Sequence, residues 1–258
     1  MHSVMTEPTT LRHAFRTGAR EGHTSGLAPG FVQGNVAIVP GAHAAHFGEY
    51  CRRNAQACPV LATAIDGNWA LPALGGGIDI RCDLPAYRVY RRGVVTVVLD
   101  VTSLWQADFA TFVIGCSFTF ERALIAGGVP LRHVTEGRNV AMYRTSIPTA
   151  GVGPFGGGMV VSMRPVARHL VNRATEITGR FSDQHGKPVH TGDPAAIGIA
   201  DITRPDYGDA VPVLPDEVPV FWACGVTSQA ALERANLPLF IAHAPGCMLI
   251  TDRRHASS

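Results

Sequence analysis

The chain has 258 residues and a formal net charge of +2, with 22 basic and 20 acidic side chains. Its 46% apolar and 16% charged content is that of a globular protein, and no basic run offers an electrostatic footprint for nucleic acid or an anionic membrane. No apolar run reaches the ~18 residues of a membrane span, and residues 1–20 are polar and mixed, so the expected compartment is the cytoplasm.

Lys187 is the only lysine and sits in a turn-like Gly186-Lys187-Pro188 segment, which argues against chemistry built on a buried amine. Cys51, Cys58, Cys82, Cys116, Cys224 and Cys247 include no CxxC pair, so neither a structural zinc nor a disulfide scaffold is expected. Gly75-Gly76-Gly77 and Gly156-Gly157-Gly158 fit neither a phosphate loop nor a dinucleotide fingerprint, and no cofactor is expected. The 28 glycines and 18 prolines predict short elements joined by defined turns.

In chain order, the pattern predicts a polar helix over 8–20 with Leu11 and Phe15 on one face. A breaker cluster at Gly26-Leu27-Ala28-Pro29-Gly30 precedes a strand over 36–39, ended by Pro40-Gly41. A helix over 42–57 turns Phe47, Tyr50 and Cys51 inward. A strand over 60–65, a turn-rich stretch over 66–85 and a hairpin over 87–98 around Gly93 follow. The apolar run 104–114 ends at Gly115-Cys116-Ser117, and a helix over 118–126 is closed by Gly127, Gly128 and Pro130. Strands over 131–134, 140–145 and 159–163 and a helix over 165–179 then read as a small α+β unit. Last come a strand over 218–222, a turn at Cys224-Gly225, a helix over 228–235 with Thr227 as N-cap, and strands over 239–243 and 248–251.

Laying Cys116 on Cys224, an offset of 108, aligns Thr119 with Thr227, Ala123 with Ala231, Leu124 with Leu232, Pro130 with Pro238 and Leu131 with Leu239. Either two ordinary α/β units match by chance, or a duplicated core holds an insertion. A second match, Ala28-Pro29-Gly30 with Ala244-Pro245-Gly246, marks two similar turns. The expected fold class is α/β: a three-layer mixed-sheet core domain from 1–130 and 196–258, with a smaller α+β domain inserted at 131–195.

Cys116 and Cys224 stand before expected helix starts, where unpaired N–H groups stabilise a thiolate or a carboxylate, and Ser117 and Thr227 add hydroxyls. The alternative is that both cysteines are small core residues. His185, His190 and Asp193 lie on a turn-rich loop, either as metal or ligand contacts or as solvated histidines and a turn cap; they lack the helical spacing of a metal site, and no metal is expected. His243 ends an apolar strand beside Ala244-Pro245-Gly246, where open α/β sheets place ligands and an imidazole can do acid–base work. A core histidine satisfied by backbone is the other reading. Arg144 and Arg164 occupy strand-like apolar contexts and need a carboxylate partner, from the protein or from a substrate.

The ordered segments Gly26-Leu27-Ala28-Pro29-Gly30 through Gln33-Gly34-Asn35, Ile114-Gly115-Cys116-Ser117-Phe118 and Glu136-Gly137-Arg138-Asn139-Val140 through Met142-Tyr143-Arg144-Thr145 stand out. Val161-Ser162-Met163-Arg164-Pro165, His190-Thr191-Gly192-Asp193-Pro194, Phe221-Trp222-Ala223-Cys224-Gly225-Val226-Thr227 and His243-Ala244-Pro245-Gly246 continue the series. Over nearly its whole length the chain resembles the bacterial hydro-lyase family related to D-glutamate cyclase. The resemblance implies a two-domain α/β enzyme without nucleotide cofactor that converts D-glutamate to 5-oxo-D-proline and water, or the reverse. One departure is that the family pattern His-Ala-Pro-Gly-His ends here in Cys247.

Under this reading Cys116, Ser117, Cys224, Thr227 and His243 are expected to line one cleft. Arg144 or Arg164 reaches in as a carboxylate clamp, and Asn139, His190 and Asp193 are further substrate-binding candidates. The expected partner is a small carboxylate, and a homo-oligomer is compatible with the sequence. Two other classes stay open: a cofactor-independent two-thiol racemase or epimerase, and a non-catalytic carboxylate-binding protein.

Overall fold

The computed structural model describes residues 7–254. Its helices are α1 (Pro8–Arg16), α2 (Gly41–Arg53), α3 (Phe118–Ala126), α4 (Arg132–Thr135), α5 (Val171–Gly179) and α6 (Val226–Ala235). Its strands are β1 (Phe31–Val39), β2 (Val60–Ala64), β3 (Tyr87–Arg91), β4 (Val94–Val98), β5 (Ala110–Gly115), β6 (Ala141–Pro148), β7 (Gly158–Ala167), β8 (His190–Thr191), β9 (Glu217–Ala223), β10 (Leu239–His243) and β11 (Leu249–Arg254).

A seven-stranded sheet runs β2-β5-β1-β10-β3-β4, with β11 also on β1, and a four-stranded sheet runs β6-β7-β9-β8. The central strands β1, β5 and β10 are buried on both faces, which is why residues 36–39, β5 and β10 read as apolar runs, while Gln33 and Asn35 hid the first half of β1. One face of the larger sheet packs Phe47 and Tyr50 of α2 and Ala231 and Leu232 of α6 against Phe112, Phe240 and Tyr90. The opposite face is covered by Leu71, Leu74, Ile78, Ile80 and Leu84 from the turn-rich stretch. The smaller sheet lays Val166, Val220 and Trp222 against Phe120 and Leu124 of α3 and Ala174 of α5. Its far face packs Tyr143, Val161, Met163 and Phe221 on Ile197, Ile199 and Val211. Helices α3 and α6 thus lie between the two sheets, each also contacting β1.

The chain is α/β, but its sheets are antiparallel at every pairing rather than mixed. The βαβ unit β1-α2-β2 does place two parallel strands in one sheet. Strand β5 then inserts between them, antiparallel to both. The smaller sheet also reaches past residue 195, because β9 pairs with β7 along seven residues from Val161–Ala223 to Ala167–Glu217.

Two expected elements changed type. Residues 131–134 form no strand; the chain curls into α4, because Arg132 there reaches Glu217 (2.7 Å) and His133 reaches Glu121 (2.9 Å). The expected helix over 165–179 begins only at Val171, since β7 continues through Pro165 to Ala167. Pro165 is tolerated there because it faces Pro219 of β9, a pair that needs no ladder bond. Pro219 turns its carbonyl the other way, to Gly192 N–H at 2.9 Å.

Three histidines of the described residues are buried in this framework: His133, paired with Glu121, and His185 and His243, which have no carboxylate partner. Burial pushes both His185 and His243 down to about 4, against backbone contacts with Gln56 and Val36 that favour the charged form. The unfolded chain binds more protons than the native one between about pH 6.5 and 4, so stability falls as pH drops through that window. Each histidine contributes at most about 1.4 kcal/mol per pH unit. Urea unfolding at pH 6.5, 5.5 and 5.0 is expected to show this slope. His185→Gln should reduce it by roughly half; an unchanged slope in that variant would assign it to other groups.

Candidate active site

One edge of β1 is shared by two strands laid end to end. β11 pairs with Phe31, Gln33 and Gly34, and β10 with Ala37 and Ile38. Residues 244–248, which join β10 to β11, therefore leave the sheet beside Asn35 and Val36. On the other edge of β1, Gly115 of β5 pairs with Gly34, so Cys116 emerges next to the same gap. The turn after β9 meets it from the smaller sheet. Gly225 approaches so closely that a Cβ would lie 2.1 Å from Asn35 Nδ2.

The gap is a pocket of about 470 Å³, counting its mouth. Asn35, Cys116, Ser117, Asn139, Cys224 and His243 line it, with Phe118, Met142, Tyr207, Gln229, Pro245, Gly246 and Met248 around them. The structure therefore gathers Cys116, Ser117, Asn139, Cys224 and His243 in one place.

The two cysteine turns have the same local design. Thr119 N–H donates to Cys116 O (3.2 Å) and Thr227 N–H to Cys224 O (2.9 Å). Phe120 N–H donates to Ser117 O (3.2 Å) and Ser228 N–H to Gly225 O (3.0 Å). The N–H two residues on, of Phe118 and Val226, faces each sulfur and favours the thiolate. Burial dominates nonetheless, raising Cys116 to about 12, with Cys224 nearby adding to the rise, and Cys224 to about 11. His243 Nδ1 lies against the backbone of Val36, 3.3 Å from its nitrogen and 3.4 Å from its oxygen, which leaves Nε2 as the uncommitted ring nitrogen. At neutral pH the pocket thus holds two thiols and a neutral imidazole.

Beneath Ser117 lies a buried charge cluster. Arg164 donates from Nη2 to Ser117 Oγ (3.1 Å) and Glu121 Oε1 (2.6 Å), and from Nη1 to Ser162 Oγ (3.0 Å). Its guanidinium also lies over the Phe120 and Trp222 rings at 5.2 and 5.4 Å. Burial alone would raise the Glu121 carboxyl, but Arg164 and the His133 ring hold it low. A guanidinium can only donate. Ser117 Oγ is therefore an acceptor toward Arg164, and its own proton is left for another partner. Ser117 precedes α3 without capping it.

Five of the sequence candidates fall outside the pocket lining. Arg164 is fully buried behind Ser117 because Glu121 supplies the carboxylate its setting demands. Arg144 lies at the surface, paired with Glu233 (3.1 Å) and with Tyr207 Oη, so it touches the pocket only through Tyr207. Thr227 is not an N-cap; α6 starts after Gly225, and the Thr227 hydroxyl accepts from Val160 N–H (3.0 Å) and donates to Val160 O (3.1 Å), tying α6 to β7. His190 sits on β8, bonded to Asp193 O (2.8 Å) and packed on Phe221. Asp193 accepts from Ala195 N–H (2.9 Å) and caps a short 3-10 turn. Cys247 does not line the pocket either; its thiol donates to Gly22 O at 3.7 Å.

Asn35, Tyr207 and Gln229 escaped the sequence reading. Asn35 stood in the Gln33-Gly34-Asn35 segment and Gln229 just past the second turn, whereas nothing around Tyr207 marked it. Among the described residues no three His, Cys, Asp or Glu side chains come together as a metal site. No helix of the described residues is long and apolar enough to cross a membrane.

The sequence profile of the family described as D-glutamate cyclase matches residues 110–252, a stretch that contains both cysteine turns, Asn139, Gln229 and His243. This chain belongs to the D-glutamate cyclase family. Its relatives in the family include a "Putative hydro-lyase" of Verminephrobacter eiseniae (strain EF01-2), 59% identical over 93% of this chain and 88% of that one. Another, from Jannaschia sp. (strain CCS1), is 53% identical over 98% of this chain and 95% of its own length. Among solved structures, a nitrogen repressor-like protein from Methanococcus jannaschii is similar at a TM-score of 0.40 and 13% identity, covering 92% and 91% of the two chains, a likeness too loose to carry an argument.

The buried Arg164–Glu121 pair is expected to matter for stability more than any contact at the mouth of this family member's pocket. Glu121→Gln leaves the guanidinium buried without counter-charge. It should lower the unfolding free energy by about 3 kcal/mol in urea titration. A loss below about 1 kcal/mol would mean another group balances Arg164.

Proposed function

We propose that this protein catalyses the reversible loss of water from D-glutamate to give 5-oxo-D-proline. One observation carries the reading: His243, Ser117 and both cysteine turns converge on a single pocket in a chain of the D-glutamate cyclase family. In ring closure the amine nitrogen bonds to the γ-carboxyl carbon, a C–O bond breaks and water leaves. The amine must first lose an ammonium proton, and the tetrahedral oxyanion needs donors.

His243 Nε2 is the base in this proposal. Its imidazole is already neutral at physiological pH, and an anionic substrate in the pocket raises its affinity for a proton. Ser117 supplies an O–H donor to the oxyanion, since Arg164 occupies its acceptor side. Asn35 and Asn139 line the same space and can bind the α-carboxylate. Arg144 can join them by leaving Glu233. A folded substrate held on these groups reacts intramolecularly, which removes most of the entropic cost of attack.

A second reading, a two-thiol racemase, draws on the matched turns at Cys116 and Cys224. It needs one thiolate at rest. With the lower of the two thiols near 11, about one molecule in ten thousand carries a thiolate at neutral pH. That fraction favours the imidazole.

D-glutamate followed by proton NMR in deuterium oxide distinguishes the two. Cyclisation yields 5-oxo-D-proline with its Cα–H retained; a racemase exchanges that hydrogen and forms the L enantiomer. His243→Ala is expected to lower kcat by about 100-fold or more, and Ser117→Ala by roughly 10- to 100-fold. Turnover that survives His243→Ala would remove that residue from the mechanism.

The pH profile gives an independent check. The acid limb of kcat/KM reports the free enzyme and should fall near pH 4, where His243 gains its proton. The limb of kcat reports the substrate complex and should lie at higher pH, because the bound anion stabilises the imidazolium. Coincident limbs near 4 would mean that the substrate does not approach His243.

A further inference from the structure

β4 closes the larger sheet, and no strand or helix of the described residues covers its outer edge. Val94, Val95 and Val97 are 64%, 46% and 61% exposed, and Leu99 is 51% exposed. Natural edge strands are usually blunted by lysine, proline, a bulge or a covering segment. Residues 94–98, Val-Val-Thr-Val-Val, carry none of these, and β3 and β4 pair through five residues without a register shift.

The hairpin determines which backbone groups are free. Arg92 and Gly93 form its two-residue turn, with φ of 49° and 80° as a type I′ turn requires. Arg91 and Val94 are then the closing hydrogen-bonded pair, and Thr96 and Val98 bond inward to β3 in alternation. Val95 and Val97 therefore point both N–H and C=O outward.

The free edge is its own complement. The segment reads the same in both directions about Thr96. In an antiparallel pairing centred there, Val95 faces Val97 of the second copy and Val97 faces Val95, which satisfies all the outward groups of residues 94–98. Val94 falls opposite Val98. Beyond the strand ends the same register sets exposed Arg92 opposite exposed Asp100, twice by symmetry. Among the described residues Arg92 has no salt bridge, and Asp100 accepts hydrogen bonds only from Thr102. A surface matched to itself in hydrogen bonding, shape and charge fits a twofold interface.

We propose that β4 pairs with β4 of a second copy of this chain, antiparallel about a twofold axis through Thr96, so that the larger sheet runs on across a homodimer. None of these residues lines the pocket, so the proposal stands apart from the catalytic reading. Two five-residue strands bury less than a standard interface of roughly 800 Å² per partner, so the dimer is expected to be of micromolar order in affinity.

Sedimentation equilibrium of the full chain across about 1–100 μM tests this, with monomer and dimer separated by the 27.4 kDa subunit mass. The wild-type protein should shift to twice that mass. Val95→Pro removes one outward N–H and no bond to β3. Thr96→Arg sets two like charges against each other on the axis. Both should be monomeric throughout the range while keeping the circular dichroism spectrum of the parent. Arg92→Asp should weaken the dimer about tenfold, and adding Asp100→Arg should restore most of the loss. A wild-type chain monomeric at the highest concentration overturns the proposal and leaves the edge to another partner. A dimer that survives both Val95→Pro and Thr96→Arg overturns it too, since that interface lies elsewhere.

Discussion

A strand has two edges, and β1 must satisfy three partners on them. β5 takes one edge from Gly34 to Val39, so β10 and β11 divide the other. Backbone groups inside a protein have to be paired, and the chain joining two collinear strands cannot lie in the ladder it interrupts. The 244–248 turn therefore swings out and leaves a gap beside Asn35 and Val36. His243, the last residue of β10, uses its Nδ1 on Val36 at that gap. Whether Nδ1 accepts from the Val36 N–H or donates to its carbonyl, that nitrogen is committed to holding the ring, and Nε2 is the one left for the acid–base work proposed above. The pocket thus follows from strand pairing, and the residue that terminates the pairing is the one best placed to act in it.

The same region joins the two sheets. The helix after β5 packs on the smaller sheet, through Phe120 and Leu124, and the helix after β9 packs on the larger, through Ala231 and Leu232. Each sheet thereby lends a helix to the other, and the two entry turns meet at the centre. This reciprocity keeps both cysteines dry. Their N–H donors favour a thiolate, yet removal from water outweighs those donors at each sulfur. The offset of 108 residues thus has a counterpart in matching turn hydrogen bonds.

Local signals were legible where local physics decides. The helix over 118–126, the hairpin around Gly93 and the strand ending at His243 were readable from periodicity and breakers, because burial and turn chemistry act there within a few residues. The convergence of Cys116, Ser117, Cys224 and His243 on one pocket could be argued from their place at element ends. What failed depended on distant partners. Residues 131–134 have strand-like composition, but Glu121 and Glu217 draw the neighbouring side chains into α4. β9 joins the smaller sheet because β7 offers it seven residues of register, which no window around either strand reveals. Arg164 was expected to need a carboxylate; that Glu121 supplies it, through the first turn of α3, is a tertiary fact. Tyr207 reaches the pocket from an irregular segment, held by a backbone bridge to Met142 and by Arg144 at its hydroxyl, both distant in sequence.

The pairing of the arginines bears on how an anion could be held. Arg164 gives its charge to Glu121, and Arg144 gives its own to Glu233. The pocket wall itself presents amides, hydroxyls, thiols and an imidazole. A dicarboxylate bound by neutral donors alone loses its hydration without gaining a counter-charge, and that penalty is large in a dry site. Arg144 relieves it at low cost. It is about half exposed and its bond to Glu233 is a surface one, of the kind that contributes little. Its guanidinium already rests against Tyr207, which lines the pocket. Arg164 cannot make that exchange, since leaving Glu121 would strand a buried carboxylate. The two arginines therefore differ by their solvation: the buried one fixes the orientation of Ser117, and the exposed one is the one that, in the proposed reaction, trades a protein carboxylate for that of a substrate.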